Sequence, residues 1–127
     1  MIDRIDHLVL TVQSVDATCE FYRACLGFIR VDNTDGPTAL HFGRHKLNIH
    51  QADHTFDPTA QRPTRGSADF CLITTTPLED TILRLTSHGA SIELGPIDRD
   101  GATGRMRSVY FRDPDGNLVE VSQYYAQ

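Results

Sequence analysis

Hydrophobic and polar residues alternate with a period of two in the segment IDHLVLTV at 5–12. This alternation predicts a strand with one face packed on a core, because successive side chains of a strand point to opposite faces. One face then carries Leu8, Leu10 and Val12, and the other face carries His7. The period changes after Ser14, where apolar residues at 15, 19, 22 and 26 have the spacing of an amphipathic helix.

The segments around this helix complete one structural module. Ser14 is a suitable N-cap, and Gly27 is placed to end the helix. Strands are predicted at 28–32, 38–43 and 46–51, the last two as a hairpin. The polar, proline-containing segment from Asp53 to Gly66 is predicted to be a loop.

The same order of elements then begins again. The sequence predicts a strand at 68–74, a helix opened by a capping box from Thr76 to Glu79, and a strand at 91–94. Gly95 to Gly104 reads as a flexible loop, and a hairpin at 109–122 closes the chain around a turn at 113–116. Gly27 follows His7 by 20 residues, and Gly89 follows Asp69 by the same interval.

This repetition predicts the fold class. We expect an α+β fold in which two βαβββ modules, at 1–60 and 66–127, form one domain with a curved sheet. A chain of 127 residues is long enough for one domain with its own core. The alternative is a chance similarity, since strand–helix–strand patterns are common.

Composition narrows the classes of function. A net charge of -5 argues against binding to nucleic acid or to an anionic membrane, and no apolar run is long enough to span a bilayer. The first ten residues lack the features of a secretory signal. Three cysteines without a CxxC pair indicate buried thiols in a reducing compartment. We therefore expect a cytoplasmic protein.

Four possible metal ligands fall on the strand faces turned away from the helices. His7 and Asp69 come from the first strand of each module. His50 and Glu120 come from the fourth, where Ile49-His50 is aligned with Val119-Glu120. Imidazole and carboxylate groups suit Zn²⁺, Ni²⁺, Co²⁺, Fe²⁺ or Mn²⁺. Each residue also has an ordinary alternative, such as an edge histidine, a carboxylate paired with Arg65 or an exposed strand glutamate.

Three segments resemble the vicinal-oxygen-chelate superfamily of glyoxalases, fosfomycin-resistance proteins and ring-cleaving dioxygenases. They are IDHLVLTV at 5–12, the F-Y-x-x-x-L-G-F run at 21–28 and FRDPDGNLVEV at 111–121. More narrowly, LNIHQ at 47–51, GSADFCLIT at 66–74 and GPIDRDGATG at 95–104 resemble the branch of glyoxalase-domain-containing protein 5.

The resemblance implies that the two modules form one glyoxalase-like domain with a curved mixed sheet around a cleft. It also implies a divalent metal in this cleft, held by His7, His50, Asp69 and Glu120. His50 stands where glyoxalase I commonly has glutamate or glutamine, and Asp69 stands where histidine is usual. Aspartate reaches less far than histidine, so three protein ligands and a water are an alternative to four protein ligands. A metal-free binding protein is another.

The activity implied first is that of a metal-dependent glyoxalase-like lyase or isomerase acting on a small substrate with vicinal oxygens, with Glu120 as the catalytic proton shuttle. The loss of a second carboxylate at position 50 weighs against a two-base mechanism, and an Asp69 that does not bind the metal is the alternative second base. An Fe(II)-dependent dioxygenase using His7, His50 and Glu120 is one alternative. A non-catalytic small-molecule binding protein of the bleomycin-resistance type is another.

The remaining expectations concern the substrate and the assembly. The segment from Gly95 to Arg107 carries Arg99, Arg105 and Arg107 and is a candidate lid that grips an anionic substrate group, with a solvated hairpin loop as the alternative. Arg105 and Arg107 are the predicted substrate-binding residues. The resemblance also implies pairing of modules within or between chains, and we expect a homodimer.

Overall fold

The fold consists of two βαβββ units, seen in a computed structural model that describes residues 1–126; Gln127, the last residue of the predicted second module, lies outside them. The units divide between Ser67 and Ala68. The elements in chain order are β1 (His7–Val12), α1 (Val15–Leu26), β2 (Ile29–Val31), β3 (Thr38–Phe42), β4 (His45–Gln51), β5 (Asp69–Ile73), α2 (Leu78–Ser87), β6 (Leu94–Gly101), β7 (Gly104–Arg112) and β8 (Leu118–Tyr124).

The first unit is a four-stranded sheet with the order β1-β4-β3-β2. Strands β1 and β4 are parallel and the other neighbours are antiparallel. As predicted, Ser14 caps α1, with its Oγ accepting a hydrogen bond from the Ala17 N–H at 3.1 Å, and Gly27 ends the helix at φ 73°. The buried apolar side chains of this unit include Leu10, Val12, Cys19, Tyr22, Leu40, Leu47 and Ile49.

The second unit has the corresponding sheet order, β5-β8-β7-β6, with β5 and β8 parallel. Its buried apolar side chains include Leu78, Leu85, Val109, Phe111, Val119 and Val121. The repeated order of strand, helix and three strands confirms the predicted α+β fold. No helix among residues 1–126 combines the length and the apolar character needed to cross a bilayer.

The predicted capping box of α2 is wrong. The helix begins at Leu78 after Pro77, and no side chain makes a cap hydrogen bond from the N-cap position. The Leu78 N–H instead donates to Oε1 of Gln123 on β8, at 2.9 Å. A distant strand residue thus satisfies a helix-end N–H, which a local sequence pattern does not reveal.

The predicted strand at 91–94 and the flexible loop from Gly95 to Gly104 are also wrong. Residues 94–101 form β6, paired with β7 around an irregularity between Leu94 and Ile97. A Cβ at Gly95 would lie 2.3 Å from the Ser108 carbonyl oxygen, so this glycine permits close approach of two strands. Glycines that suggested flexibility therefore belong to a paired hairpin.

Candidate metal and substrate site

His7 and His50 lie on the same face of the first sheet, opposite the face that carries the core residues Leu10 and Ile49. In the parallel pair of β1 and β4, His7 is opposite Lys46 and His50 is opposite Thr11. The two histidines are therefore four positions apart along the strands. They share a sheet face, as predicted, but do not form a cross-strand pair.

His50 is a buried histidine, with 4% of its surface exposed. Its ring contacts that of Phe56 in the segment after β4, with centroids 5.6 Å apart. Its buried Nδ1 has no hydrogen-bond partner. The buried Oδ1 of Asn48 also has none. Burial lowers the pKa of His50, so the neutral imidazole is favoured. A neutral imidazole nitrogen without a partner is suited to accept a hydrogen bond or to bind a metal.

His7 has a different environment. It is exposed, and its Nδ1 lies 2.9 Å from Oδ1 of Asp6. A hydrogen bond from Nδ1–H to this carboxylate leaves Nε2 as the acceptor of the ring, an arrangement that is common for metal-binding histidines.

Strand pairing corrects one part of the predicted repeat. His7 and Asp69 each begin the first strand of a unit. Two positions farther along, Val9 pairs with Asn48 and Cys71 pairs with Glu120. The counterpart of Glu120 is therefore Asn48, and the predicted alignment with His50 is wrong by two residues. Period-two alternation keeps the same face after a two-residue shift, so it does not fix this register.

Asp69 and Glu120 lie on one face of the second sheet. Asp69 is opposite Leu118, so the two carboxylates are offset by two positions along adjacent strands. Asp69 is exposed, whereas Glu120 is half-buried. Glu120 forms no ion pair within residues 1–126. This face therefore carries a half-buried carboxylate that forms no ion pair within residues 1–126.

A chain of hydroxyl groups holds Glu120. Ser122 Oγ donates to Glu120 Oε2 at 3.1 Å and lies 2.6 Å from Ser108 Oγ. Because the Ser122 proton is directed to the carboxylate, Ser108 is the donor in the second bond. Cys71 Sγ lies 3.2 Å from Ser122 Oγ. Although Cys71 is exposed overall, desolvation of its sulfur raises the pKa of the thiol. The cysteine is therefore a thiol neighbour of the site, and the prediction that all three cysteines are buried is wrong.

Arg105 and Arg107 are both engaged by carboxylates. Arg105 Nη1 donates to Asp100 Oδ1 at 2.9 Å, and Arg107 Nη1 donates to Glu79 Oε1 at 2.7 Å. The second pair lowers the pKa of Glu79. Along β7, both arginines alternate with Ser108, so they lie on the face opposite Glu120. Their role in substrate binding stays a prediction.

Arg99, which the sequence placed in a flexible loop, lies on the paired strand β6. It pairs with Met106, which shares a face with Ser108 and Tyr110, and its side chain contacts Tyr110. Tyr110 lies directly opposite Glu120. Assigning positions 95–104 to a loop hid this relation, because only a strand gives position 99 a defined face.

The predicted ligands do not form a ready-made metal site. Within residues 1–126, no group of three or more histidine, cysteine, aspartate or glutamate side chains is placed to hold a metal ion. The structure thus supplies single features that suit metal binding, namely the unpartnered His50 Nδ1 and the unpaired Glu120. Metal binding by His7, His50, Asp69 and Glu120 stays a prediction.

Comparison with known families identifies the class of protein. Residues 4–121 match the Glyoxalase/Bleomycin resistance protein/Dioxygenase superfamily. The chain belongs to this superfamily, whose members often use divalent metals and commonly bind small molecules. The narrower assignment to the branch of glyoxalase-domain-containing protein 5 stays a prediction.

Several relatives are similar over nearly the whole chain. Virulence protein STM3117 of Salmonella typhimurium is 52% identical over 98% of this chain and 86% of its own length. Its crystal structure matches with a TM-score of 0.95, covering 98% of this chain and 99% of that one. Glyoxalase domain-containing protein RDO1 of Mycosarcoma maydis is 42% identical over 94% of this chain and 68% of its own length. An integron cassette protein from the mobile metagenome of V. Cholerae is 47% identical, with a TM-score of 0.95 and 98% coverage of both chains.

The burial of His50 predicts a dependence of stability on pH. In the folded state its pKa lies below the ordinary value of 6.5, so the unfolded chain takes up the proton first as the pH falls. Stability is therefore lost between 6.5 and the folded-state pKa, by at most about 1.4 kcal/mol per pH unit for this one group. Urea unfolding of metal-free protein should show a shallower loss in His50→Gln than in wild type. The exposed His41→Gln variant should keep the wild-type slope; equal slopes in all three proteins would contradict the prediction.

Proposed function

We propose that this chain is a metal-dependent glyoxalase-like lyase or isomerase that acts on a small substrate with vicinal oxygens. The observation that carries the proposal is the state of Glu120. Its carboxylate is half-buried, is oriented by Ser122 and has no cation within residues 1–126. Such a group is suited to bind a metal or to exchange a proton with a substrate.

The donor set suits a divalent metal such as Zn²⁺, Ni²⁺, Co²⁺, Mn²⁺ or Fe²⁺. His50 offers a buried nitrogen without a partner, and His7 retains Nε2 while Nδ1 contacts Asp6. Asp69 and Glu120 would supply carboxylate oxygens. When bound, the metal would act as a Lewis acid toward substrate oxygens.

Glu120 would move a proton between adjacent carbons of the substrate. The hydrogen bond from Ser122 fixes one carboxylate oxygen, Oε2, and leaves Oε1 for the proton. The hydrogen bond from Ser108 to Ser122 fixes the direction of the Ser122 proton in turn. Asn48, the counterpart of Glu120 in the first unit, is no base, so one carboxylate would serve in both directions of transfer.

A metal-free small-molecule binding protein is the second candidate. It is supported by two buried polar atoms of the first unit, Asn48 Oδ1 and His50 Nδ1, which have no hydrogen-bond partner. In this case the unpartnered Asn48 and His50 atoms would bind polar groups of the ligand.

A homodimer remains part of the proposal. Ile29 and Val31 are exposed and share one face of β2, which lies at the edge of its sheet. An apolar edge strand supports self-association. Light scattering during size-exclusion chromatography would measure the mass directly.

Metal content and metal-dependent stability test the proposal. Protein without a histidine tag would be purified without chelators, analysed by inductively coupled plasma mass spectrometry, and then stripped of metal. Addition of Zn²⁺, Ni²⁺, Co²⁺ or Mn²⁺, or of Fe²⁺ without oxygen, should raise the unfolding temperature, because a ligand of the folded state stabilises it. Lactoylglutathione formation from methylglyoxal and glutathione tests the isomerase activity. Absence of bound metal together with no stabilisation by any ion would favour the binding protein.

A further inference from the structure

Arg99 and Tyr110 form a fixed pair on the same sheet face as Glu120. Arg99 Nε donates to the Tyr110 hydroxyl at 3.0 Å, and the guanidinium carbon lies 5.5 Å from the centre of the Tyr110 ring. Both residues are half-buried. The tyrosine therefore limits the positions open to the guanidinium, and a guanidinium fixed in this way loses less entropy when it binds a ligand.

Arg99 differs from the neighbouring arginines in its charge environment. Arg105, Arg107 and Arg112 each form an ion pair with a carboxylate. Arg99 forms none within residues 1–126; besides Tyr110, it donates from Nη1 to the backbone oxygen of Asp98 at 3.4 Å. Nε and Nη1 use two of the five guanidinium N–H groups, so three remain for a ligand.

We propose that Arg99, oriented by Tyr110, binds an anionic oxygen group of the substrate, either a carboxylate or a phosphate. Guanidinium groups bind both through two parallel hydrogen bonds. Since Tyr110 is the cross-strand partner of Glu120, an anion bound by Arg99 would place the rest of a small molecule beside the carboxylate. This proposal adds a binding group to the proposed function. It rests on the proposed function in one respect, which is that the bound anion is treated as part of the substrate.

Anion titration of metal-free protein tests this site. Sodium phosphate and sodium acetate would be added separately at constant ionic strength. The ¹⁵N–¹H signal of the Arg99 Nε group would be followed by NMR in proteins that keep Arg99, and the backbone amide signals of β6 and β7 would give the affinity in every variant, including Arg99→Gln. We expect a saturable shift of the Arg99 Nε signal with at least one of the two anions. The anion that saturates the shift at the lower concentration, phosphate or acetate, is the preferred ligand. Arg99→Gln should weaken binding about tenfold, which corresponds to one charge-assisted contact. Tyr110→Phe should weaken it less.

The matched control is Arg44→Gln, which removes the same charge from an exposed position in the turn before β4 and should bind the anions as wild type does. An Arg99 signal that does not shift, or shifts without saturation for both anions, would overturn the proposal. Equal affinities of wild type and Arg99→Gln would also overturn it. The titration uses metal-free protein, so a protein that fails to bind metal can still bind the anion. A protein that binds metal but shows no saturable shift of the Arg99 signal would refute the anion site and leave the proposed metal site standing.

Discussion

Replacing Glu120 by glutamine is expected to lower the affinity for Ni²⁺ or Zn²⁺ by about 100-fold or more. Loss of an outer-shell partner already costs up to about 100-fold, and loss of a direct ligand should cost at least as much. The substitution keeps the shape of the side chain but removes its charge and its basicity. Turnover should fall by about 10²- to 10⁴-fold if Glu120 moves the proton in the reaction. Isothermal titration of metal-free protein gives the affinity, and initial rates with the metal-loaded protein give the turnover.

Two further variants separate coordination from loss of charge. Glu93→Gln removes an exposed carboxylate of the same unit, which pairs with Arg112 on the surface, and should leave metal affinity unchanged. Ser122→Ala should have a smaller effect than Glu120→Gln, because it frees the carboxylate to rotate without removing it. Unchanged metal affinity in Glu120→Gln would exclude this residue as a ligand, and unchanged turnover would exclude it as the base.

The sequence was sufficient to predict features that depend on local patterns. Alternation at 5–12 identified the face of Leu10 and the opposite face of His7, and the Ser14 cap and the Gly27 terminus of α1 have local chemical causes. The closing turn was predictable because its residues favour tight turns. These signals, repeated in two halves, were enough for the fold class.

Features that depend on pairing between distant strands were not predictable. The relation of Asn48 to Glu120 follows from the registers of two separate strand pairs, and alternation gives the same face after any shift of two residues. The β6–β7 hairpin was missed because its glycines and charges have low strand propensity, whereas pairing with a neighbouring strand overrides that propensity. The position of Arg99 on the sheet face of Glu120 was missed for the same reason.

The turn before β8 depends on one buried carboxylate, and Asp113→Ala is expected to lower the free energy of unfolding by about 2–4 kcal/mol. Asp113 is buried, and its Oδ1 accepts from the N–H groups of Asp115 and Asn117 while Oδ2 accepts from Asn117 Nδ2. Asn117 Oδ1 in turn accepts from the Ala68 N–H at the start of the second unit. Removal of the carboxylate leaves the two buried Asn117 donors and the part-buried Asp115 N–H without their acceptor, and should loosen the pairing of β5 with β8.

Urea unfolding followed by circular dichroism measures the effect against two comparisons. Asp113→Asn retains an oxygen for the two backbone N–H groups but places an amide NH₂ against Asn117 Nδ2, so its loss should be intermediate. Asp35→Ala changes an exposed aspartate in the segment between β2 and β3 and should stay within about 0.5 kcal/mol of wild type. If Asp113→Ala were as stable as Asp35→Ala, the hydrogen bonds of this turn would contribute nothing net to folding. The proposed coupling between the turn and the β5–β8 pair would then have to be abandoned.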